Sequence, residues 1–365
     1  MKKLILIFYL CFSTVMLLTS CGGSGNGDEK TNTRKMDAKL DTLITNLAAC
    51  KEQNTNCDAY LNASNVISLM AKDSSVKNLI DDLFNGIAQS TSSSRSAACA
   101  HAINFWTNNW DYYKNPAYGR IVLDALKKEK YDENSYVGST LGQLLSGWLV
   151  SNDTALLNDI YVVVKDVNTE KRGRMEIIRL AGKESFAKPG LLDILVDLAN
   201  NQNELEEVRV TCLNVLWRTE ESAQYQKIEN MYLALLTSSS TAIVGASLDG
   251  LGYMRSAIAY SKVLETIEKY GANEDYCSVS GRSLKSYISY EPKEGIDSKK
   301  AFKLAVKMAN NKTLKAYSRS NYIYAIEAFG GNEGKSALTK LSAGSEIEIA
   351  DPAKQALQRL KNNSL

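Results

Sequence analysis

Apolar side chains recur at intervals of three and four residues along nearly the whole chain beyond residue 40. One stripe contains Leu40, Leu43 and Leu47, and another runs from Leu156 to Val164. This spacing places apolar residues on one face of an α-helix. Short clusters of Asn, Ser, Gly and Asp separate segments of helical length, and no segment alternates with the two-residue period of a strand. The pattern predicts an all-α protein.

The predicted helices form a repeat. An arginine is followed, after two residues, by two small or apolar residues and, after two more, by an apolar anchor residue. Copies begin at Arg95, Arg174, Arg209 and Arg319, and the copies without arginine are weaker. The anchors recur roughly every 35 residues with one longer interval, as in arrays of helix pairs. They are Ala181, Leu216, Leu251, Leu284, Ile326 and Leu360, with Leu144 as an earlier one.

Two amphipathic helices in each repeat of this length resemble the HEAT-like repeat family of α/α solenoids. The resemblance implies a right-handed solenoid over residues 95–365, in which pairs too small to bury their own apolar faces stack on one another. Residues 37–94 are less regular and are expected to form an N-terminal helical cap region. In this family the arginine joins a structural ladder between repeats, which assigns that role to Arg174, Arg209 and Arg319. Val244, Cys277 and Ala353 take its place elsewhere and interrupt the ladder.

One face of the second helices is the candidate binding surface. The residue two positions before each anchor is polar or amphipathic in every copy, so this row should face solvent. Solenoids of this kind usually line their concave side with second helices. A mixture of charge and tyrosine suits a protein or peptide partner, although an ordinary solvated face is an equal alternative. The position two after each anchor lies nearby on the same helix surface. The candidate binding strip takes residues from both positions and consists of Arg179, Asn214, Arg218, Asp249, Tyr253, Arg282 and Tyr324.

The N-terminus predicts export. Lys2 and Lys3 precede an uncharged apolar run that is too short for a membrane span, and the run ends in Leu18-Thr19-Ser20-Cys21. This ending resembles the lipobox of bacterial lipoproteins. The resemblance implies a signal peptide over residues 1–20, cleavage before Cys21 and acylation of Cys21, with residues 21–36 as a flexible tether. An ordinary secretory signal or anchor helix is the alternative.

The same resemblance places the protein in the bacterial cell envelope. Gly22 after the lipidated cysteine is similar to the outer-membrane sorting preference of some Gram-negative lipoproteins. The resemblance leaves open whether the protein faces the periplasm or the cell surface.

Export changes the interpretation of the cysteines. Cys50 and Cys57 flank a polar link between two helical patterns, and an oxidising compartment favours a disulfide between them. Other metal ligands are absent nearby, so no metal site is predicted. The remaining cysteines, Cys99, Cys212 and Cys277, lie in apolar helical patterns and are expected to be buried thiols.

Charge and chemistry exclude several functions. Lys plus Arg is 43 against 41 Asp plus Glu, and loss of Lys2 and Lys3 would leave a neutral chain, which lacks the basic footprint of a nucleic-acid binder. A single histidine, His101, removes most histidine-dependent catalysis and most zinc sites. The segment 330–336 resembles a phosphate-binding loop, but it follows a helical pattern and is better interpreted as a helix stop and linker.

Two classes of function follow. The first is a non-catalytic, membrane-anchored lipoprotein that acts as a scaffold for a protein or peptide in the envelope, without a cofactor. The alternative is an enzyme, or an accessory subunit of one, with a pocket on the concave face of the solenoid.

Overall fold

The protein is described here by a computed structural model. The described residues are 36–50, 57–70, 78–105, 114–128, 136–149, 154–181, 189–218, 224–271, 273–289 and 293–362. The chain divides into two units, 1–34 and 35–365, and all of these residues belong to the second. They form α-helices and no strand, which confirms the all-α prediction. Cys21, the predicted signal peptide and the predicted tether up to residue 35 lie outside the described residues.

Two helices, α1 (Ala38–Ala48) and α2 (Asp58–Met70), precede a series of helix pairs. The first helices of the pairs are α3 (Leu79–Gln89), α5 (Pro116–Lys127), α7 (Thr154–Lys165), α9 (Pro189–Asn200), α11 (Tyr225–Leu235), α13 (Tyr260–Tyr270), α15 (Ser298–Ala309) and α18 (Gly331–Ser342). The second helices are α4 (Ser93–Phe105), α6 (Tyr136–Leu149), α8 (Lys171–Ala181), α10 (Glu206–Leu216), α12 (Thr241–Met254), α14 (Glu274–Ser289), α16 (Ala316–Ser320) with α17 (Ile323–Phe329), and α19 (Ile347–Asn362).

The helix pairs stack into an α/α solenoid, as the repeat predicted. Each second helix packs against its own first helix and against the second helices before and after it. The predicted anchors all lie in second helices, and Leu216, Leu251 and Leu284 are fully buried. A single hydrophobic core runs from Leu40 in α1 to Ala356 in α19. The pairs therefore share one elongated core, which is how units too small to fold alone gain stability.

The second helices form the more tightly packed row. Neighbouring second helices approach one another more closely than neighbouring first helices do. A Cβ added at Gly252 would lie 2.7 Å from the Cα of Ser283, and one at Gly281 would lie 2.4 Å from the carbonyl oxygen of Asn321. Because glycine at these two positions lets the backbones meet, the helix pairs lie closer together on the side of their second helices than on the side of their first helices. The second helices therefore form the inner row of residues 35–365.

Local sequence explains where helices begin and end. The side chain of Asp297 accepts hydrogen bonds from the backbone N–H groups of Lys299 and Lys300 and so caps α15. Ser240 caps α12 in the same way by accepting from Ile243. Gly330, with a φ of 62°, ends α17. Gly330 is therefore a helix stop, as predicted, but the predicted linker is wrong, because residues 331–336 already form the first turns of α18.

One second helix is broken. Between α16 and α17, the side-chain amide of Asn321 donates to the carbonyl oxygen of Ser318 at 2.9 Å. The N–H of Tyr322 bonds to the carbonyl oxygen of Arg319, three residues earlier. An asparagine that competes for backbone groups in this way replaces the α-helical hydrogen-bond pattern with a tighter turn. The repeat pattern predicted one continuous helix here, and the local bonding of Asn321 divides it.

The N-terminal region is tied to the array. A disulfide joins Cys50 to Cys57 across the α1–α2 link, with the Cα atoms 6.5 Å apart. α1 and α2 pack on α4, whereas α3 packs on α4 and α5 as the first helix of a pair does. The predicted boundary between residues 94 and 95 falls inside α4, so the irregular cap region ends before α3. Met36, placed in the predicted tether, packs against the core. None of the described helices combines the length and apolarity that a membrane span requires.

Candidate functional site

The residues of the predicted binding strip lie on α8, α10, α12, α14 and α17, or directly after α10 in the case of Arg218. The prediction that the row is accessible to solvent agrees with their positions. Two residues of the strip, Asp249 and Tyr253, are half-buried. The others are exposed, namely Arg179, Asn214, Arg218, Arg282 and Tyr324.

Asp249 and Arg282 bind each other across neighbouring second helices. The Nε of Arg282 lies 3.0 Å from one carboxylate oxygen of Asp249, and a terminal nitrogen lies 2.9 Å from the other. The remaining terminal nitrogen donates to Ser278 at 2.8 Å. The hydrogen bonds to Asp249 raise the pKa of Arg282 above its usual range. This arginine is therefore engaged within the protein, as is Asp249.

An aromatic stack occupies the next part of the strip. The ring of Tyr253 stacks on that of Trp217, with the centroids 4.3 Å apart. The guanidinium of Arg218 lies 5.0 Å from the centroid of the Trp217 ring, within the range of a cation–π contact. Trp217 thus joins two strip residues from neighbouring repeats, and sequence reasoning did not single it out.

Arg179 is also engaged, whereas two strip residues are more open. Arg179 forms an ion pair with the buried Glu176, which Arg172 contacts at 3.2 Å. Asn214 is exposed on α10, and Tyr324 has 54% of its surface exposed on α17. The strip therefore combines internal contacts that stiffen the inner row with a smaller set of accessible groups.

A cleft of about 590 Å³ opens over α12, between α10 and α14. Small residues of α12 line it, together with polar groups from the neighbouring helices α10 and α14. Neither Glu206 nor Asp275 forms an ion pair within the described parts of the chain. The lining residues are Glu206, Val210, Asn214, Ser240, Thr241, Ala242, Gly245, Ala246, Asp249, Asp275, Val279 and Arg282.

The cleft brings together three strip residues, Asn214, Asp249 and Arg282. The other cleft residues were not predicted, since the strip was registered on the anchors and the cleft lies nearer the helix N-termini. One signal could have revealed it. Ala242, Gly245 and Ala246 put small residues on a helix face where the neighbouring repeats carry larger ones.

The predicted ladder arginines make repeated backbone contacts. Arg174, Arg209 and Arg319 each donate to a carbonyl oxygen ten residues earlier, at the end of the preceding first helix. Arg174 also binds Glu204 of the next repeat, and Arg319 binds Glu346. Arg209 has no described acidic partner and is only half-buried. Where the ladder was expected to be interrupted, Val244, Cys277 and Ala353 are buried.

The ladder carboxylates respond to these contacts. Burial raises the pKa of Glu204, but hydrogen bonds from Arg174 and from the Leu205 N–H outweigh it and lower the pKa overall. Arg319 and Lys312 lower the pKa of Glu346 to about 2. The lowered pKa values mean that the contacts stabilise the charged forms of Glu204 and Glu346, which fits a structural role.

His101 is half-buried, and the free cysteines are buried. The Nε2 of His101 lies 3.2 Å from the hydroxyl of Thr140 in α6, and burial lowers the pKa of His101 to about 4. Cys99, Cys212 and Cys277 are buried free thiols, as predicted. Burial raises the pKa of Cys99 to about 12. In the described residues, no three His, Cys, Asp or Glu side chains are grouped as metal ligands would be.

No model of a known protein family matches the chain, and no curated protein matches it. Among solved structures, Kap121p is similar over 87% of this chain and 37% of its own, with 12% identity and a TM-score of 0.42. A mutant of Kap121p gives the same coverage and identity with a TM-score of 0.43. An engineered protein is similar over 89% of this chain and 99% of its own, with 13% identity and a TM-score of 0.31. This chain thus spans little more than a third of Kap121p, and likenesses this distant carry no information about ligand or activity.

Proposed function

We propose that the protein is a lipid-anchored scaffold of the bacterial cell envelope, whose inner row of second helices binds another protein or a peptide without catalysis. The observation that carries this proposal is the open cleft over α12, which is continuous with the exposed Asn214 on α10. A cleft of about 590 Å³ has room for several side chains of a partner, and its small-residue lining allows close approach.

The chemistry of the cleft favours binding over catalysis. Both carboxylate oxygens of Asp249 accept hydrogen bonds from Arg282. Asp249 is therefore not free to transfer a proton or to attack a substrate. Glu206 and Asp275 are exposed to solvent rather than enclosed, which is unlike the desolvated surroundings that tune catalytic carboxylates. The polar groups suit hydrogen bonds with a partner at the rim of an interface.

Anchoring through Cys21 supports the envelope location. The lipobox-like segment precedes a polar stretch, residues 22–33, that contains no apolar side chain to bury. Acyl chains on Cys21 would hold the solenoid at a membrane surface and leave the inner row accessible to other envelope proteins. The disulfide between Cys50 and Cys57 is compatible with an exported protein.

Site-directed crosslinking in intact cells tests the proposal. A photoreactive phenylalanine analogue replaces Asn214 in the cleft, and a matched variant carries it at Asp197, which is exposed on the first helix α9. Adducts with one protein from Asn214 and not from Asp197 are expected. A retained small molecule with no protein adduct would instead support the alternative, an enzyme or an accessory subunit of one.

Anchoring is tested separately by metabolic labelling with a palmitate analogue. The label should enter the wild-type protein and be absent from Cys21→Ser. Equal labelling of both would remove the anchor from the proposal while leaving the cleft untouched.

A further inference from the structure

Positive charge is concentrated on two neighbouring first helices. α15 contains Lys299, Lys300, Lys303 and Lys307 and no acidic residue. α18 adds Lys335 and Lys340, with Glu333 as its one acidic residue. Six lysines against one glutamate stand out in a chain whose total charge is only +2. We call this surface the α15–α18 face.

Two of these lysines are neutralised by neighbours. Lys299 contacts Glu333 at 2.8 Å, and Lys307 contacts Glu268 of α13 at 2.5 Å. The hydrogen bond to Glu333 raises the pKa of Lys299. Lys303 and Lys340 are exposed and have no acidic partner in the described part of the chain. Their charge is available to an external anion.

An apolar groove of about 470 Å³ separates these two lysines. Phe302, Val306 and Ala337 form its apolar part, and Lys303 and Lys340 contribute from α15 and α18. The remaining lining residues are Asn332, Ser336 and Glu333, whose carboxylate is paired with Lys299. The ring of Phe302 stacks on that of Phe329, with the centroids 4.1 Å apart, which fixes one wall of the groove. The groove exists because neighbouring first helices pack more loosely than second helices do.

We propose that the α15–α18 face docks on a bilayer that carries anionic phospholipid headgroups. Lysines can lay their aliphatic stems along an apolar groove while the ammonium groups reach phosphates at its edge. The charges are distributed along two helices rather than converging on one point, which suits an array of headgroups better than a single anion. Lysines near an anionic leaflet each add several-fold to binding. This surface lies away from the α12 cleft and does not depend on that cleft binding a partner.

The consequence is a second membrane contact. Acyl chains on Cys21 would hold the protein at a membrane, and a basic surface would add an electrostatic contact that sets which side of the solenoid faces the bilayer. A solenoid that contacts the bilayer through the first helices of its last pairs would leave its second helices accessible to a protein partner.

Vesicle sedimentation tests the proposal with the full chain carrying Cys21→Ser, which cannot be acylated there. The readout is the ratio of affinities for vesicles of phosphatidylcholine mixed with phosphatidylglycerol and for phosphatidylcholine alone, because the apolar N-terminal run contributes to both. The ratio should fall on the order of tenfold in Lys303→Gln/Lys340→Gln and should decline at high salt.

The matched control is Lys39→Gln/Lys165→Gln, which removes the same charge from exposed lysines of α1 and α7. It should keep the wild-type ratio, and circular dichroism should show that both double variants are folded. An unchanged ratio in the Lys303/Lys340 variant would overturn the proposal. So would lysine-dependent binding of a poly-glutamate peptide without binding to vesicles, which would assign the face to an acidic protein. Crosslinking from Asn214 is a separate readout, so either proposal can fail alone.

Discussion

Arg174 and Glu204 form a buried ion pair between consecutive repeats. The guanidinium of Arg174 donates to both carboxylate oxygens of Glu204, at 3.2 and 2.7 Å, and to the carbonyl oxygen of Val164. The side chains of Arg174 and Glu204 are 1% and 2% exposed. A single arginine thus ties the end of α7 to the loop before α10, and the ion pair has almost no access to water.

Replacing Arg174 with Met should lower the free energy of unfolding by about 3–5 kcal/mol, because the carboxylate of Glu204 would remain buried without a positively charged partner. Urea denaturation followed by circular dichroism measures the change. Arg209→Met is the matched control, since Arg209 donates to one carbonyl oxygen and is half-buried. It should cost only about 1 kcal/mol. Equal losses in the two variants would show that Glu204 contributes nothing to the effect.

Adding a methyl group where two second helices approach most closely should destabilise the protein. In Gly281→Ala, the new Cβ would lie 2.4 Å from the carbonyl oxygen of Asn321. α14 would therefore have to move away from the turn between α16 and α17. The expected loss of stability is about 1–3 kcal/mol. Gly245→Ala is the control in α12, where the Cβ would meet only Val279 at 3.8 Å. Because alanine favours helix, this variant should gain up to about 1 kcal/mol. Thermal denaturation distinguishes the two signs.

His101 should make the protein less stable in mild acid. Burial lowers its pKa to about 4 in the folded protein, against about 6.5 for a solvent-exposed histidine in an unfolded chain. Between these values the unfolded chain binds a proton that the folded chain does not, so the free energy of unfolding falls as pH falls from 6.5 to 4. His101→Gln removes this titrating group. Between pH 7 and pH 4, the free energy of unfolding should therefore fall by roughly 2–3 kcal/mol less in the variant than in the wild type.

Urea denaturation at several pH values measures this difference between wild type and His101→Gln. Carboxylates contribute equally to both proteins, so only the difference between the two curves reports on His101. Parallel curves would mean that His101 keeps its ordinary pKa in the folded state.

The sequence predicted the parts of the fold that depend on burial. Leu216, Leu251 and Leu284 recur with the repeat because each must fill the same place in the shared core, and the structure buries all three. Arg174, Arg209 and Arg319 were visible for a similar reason, since each bonds to the end of its own preceding helix. A position that has the same surroundings in each repeat therefore tends to carry the same type of residue in each repeat, and the sequence shows this.

Contacts between repeats were not predictable from the same pattern. The strip was defined by one helix at a time, so Asp249 and Arg282 stood as separate binding residues, whereas they neutralise each other. Their spacing of 33 residues is close to one repeat, as are the spacings of Lys299 with Glu333 and Lys312 with Glu346. Opposite charges one repeat apart were the available signal. The break at Asn321 depends on a single side-chain hydrogen bond and leaves no periodic trace.

The Asp249–Arg282 pair should contribute measurably to stability, unlike most surface ion pairs. Its two parallel hydrogen bonds fix the geometry, and the side chain of Asp249 is only 18% exposed. A double-mutant cycle with Asp249→Asn and Arg282→Met should give a coupling free energy of about 1 kcal/mol in urea denaturation. The comparison pair is Asp193 with Lys227, which are 3.3 Å apart and more than half exposed on α9 and α11. Its cycle, with Asp193→Asn and Lys227→Met, should give a coupling near zero, because solvent screens it and a single contact does not offset the side-chain entropy. If the two couplings were equal, geometry and burial would not distinguish the inner row from the outer surface, and Arg282 would be free to bind a partner in the cleft.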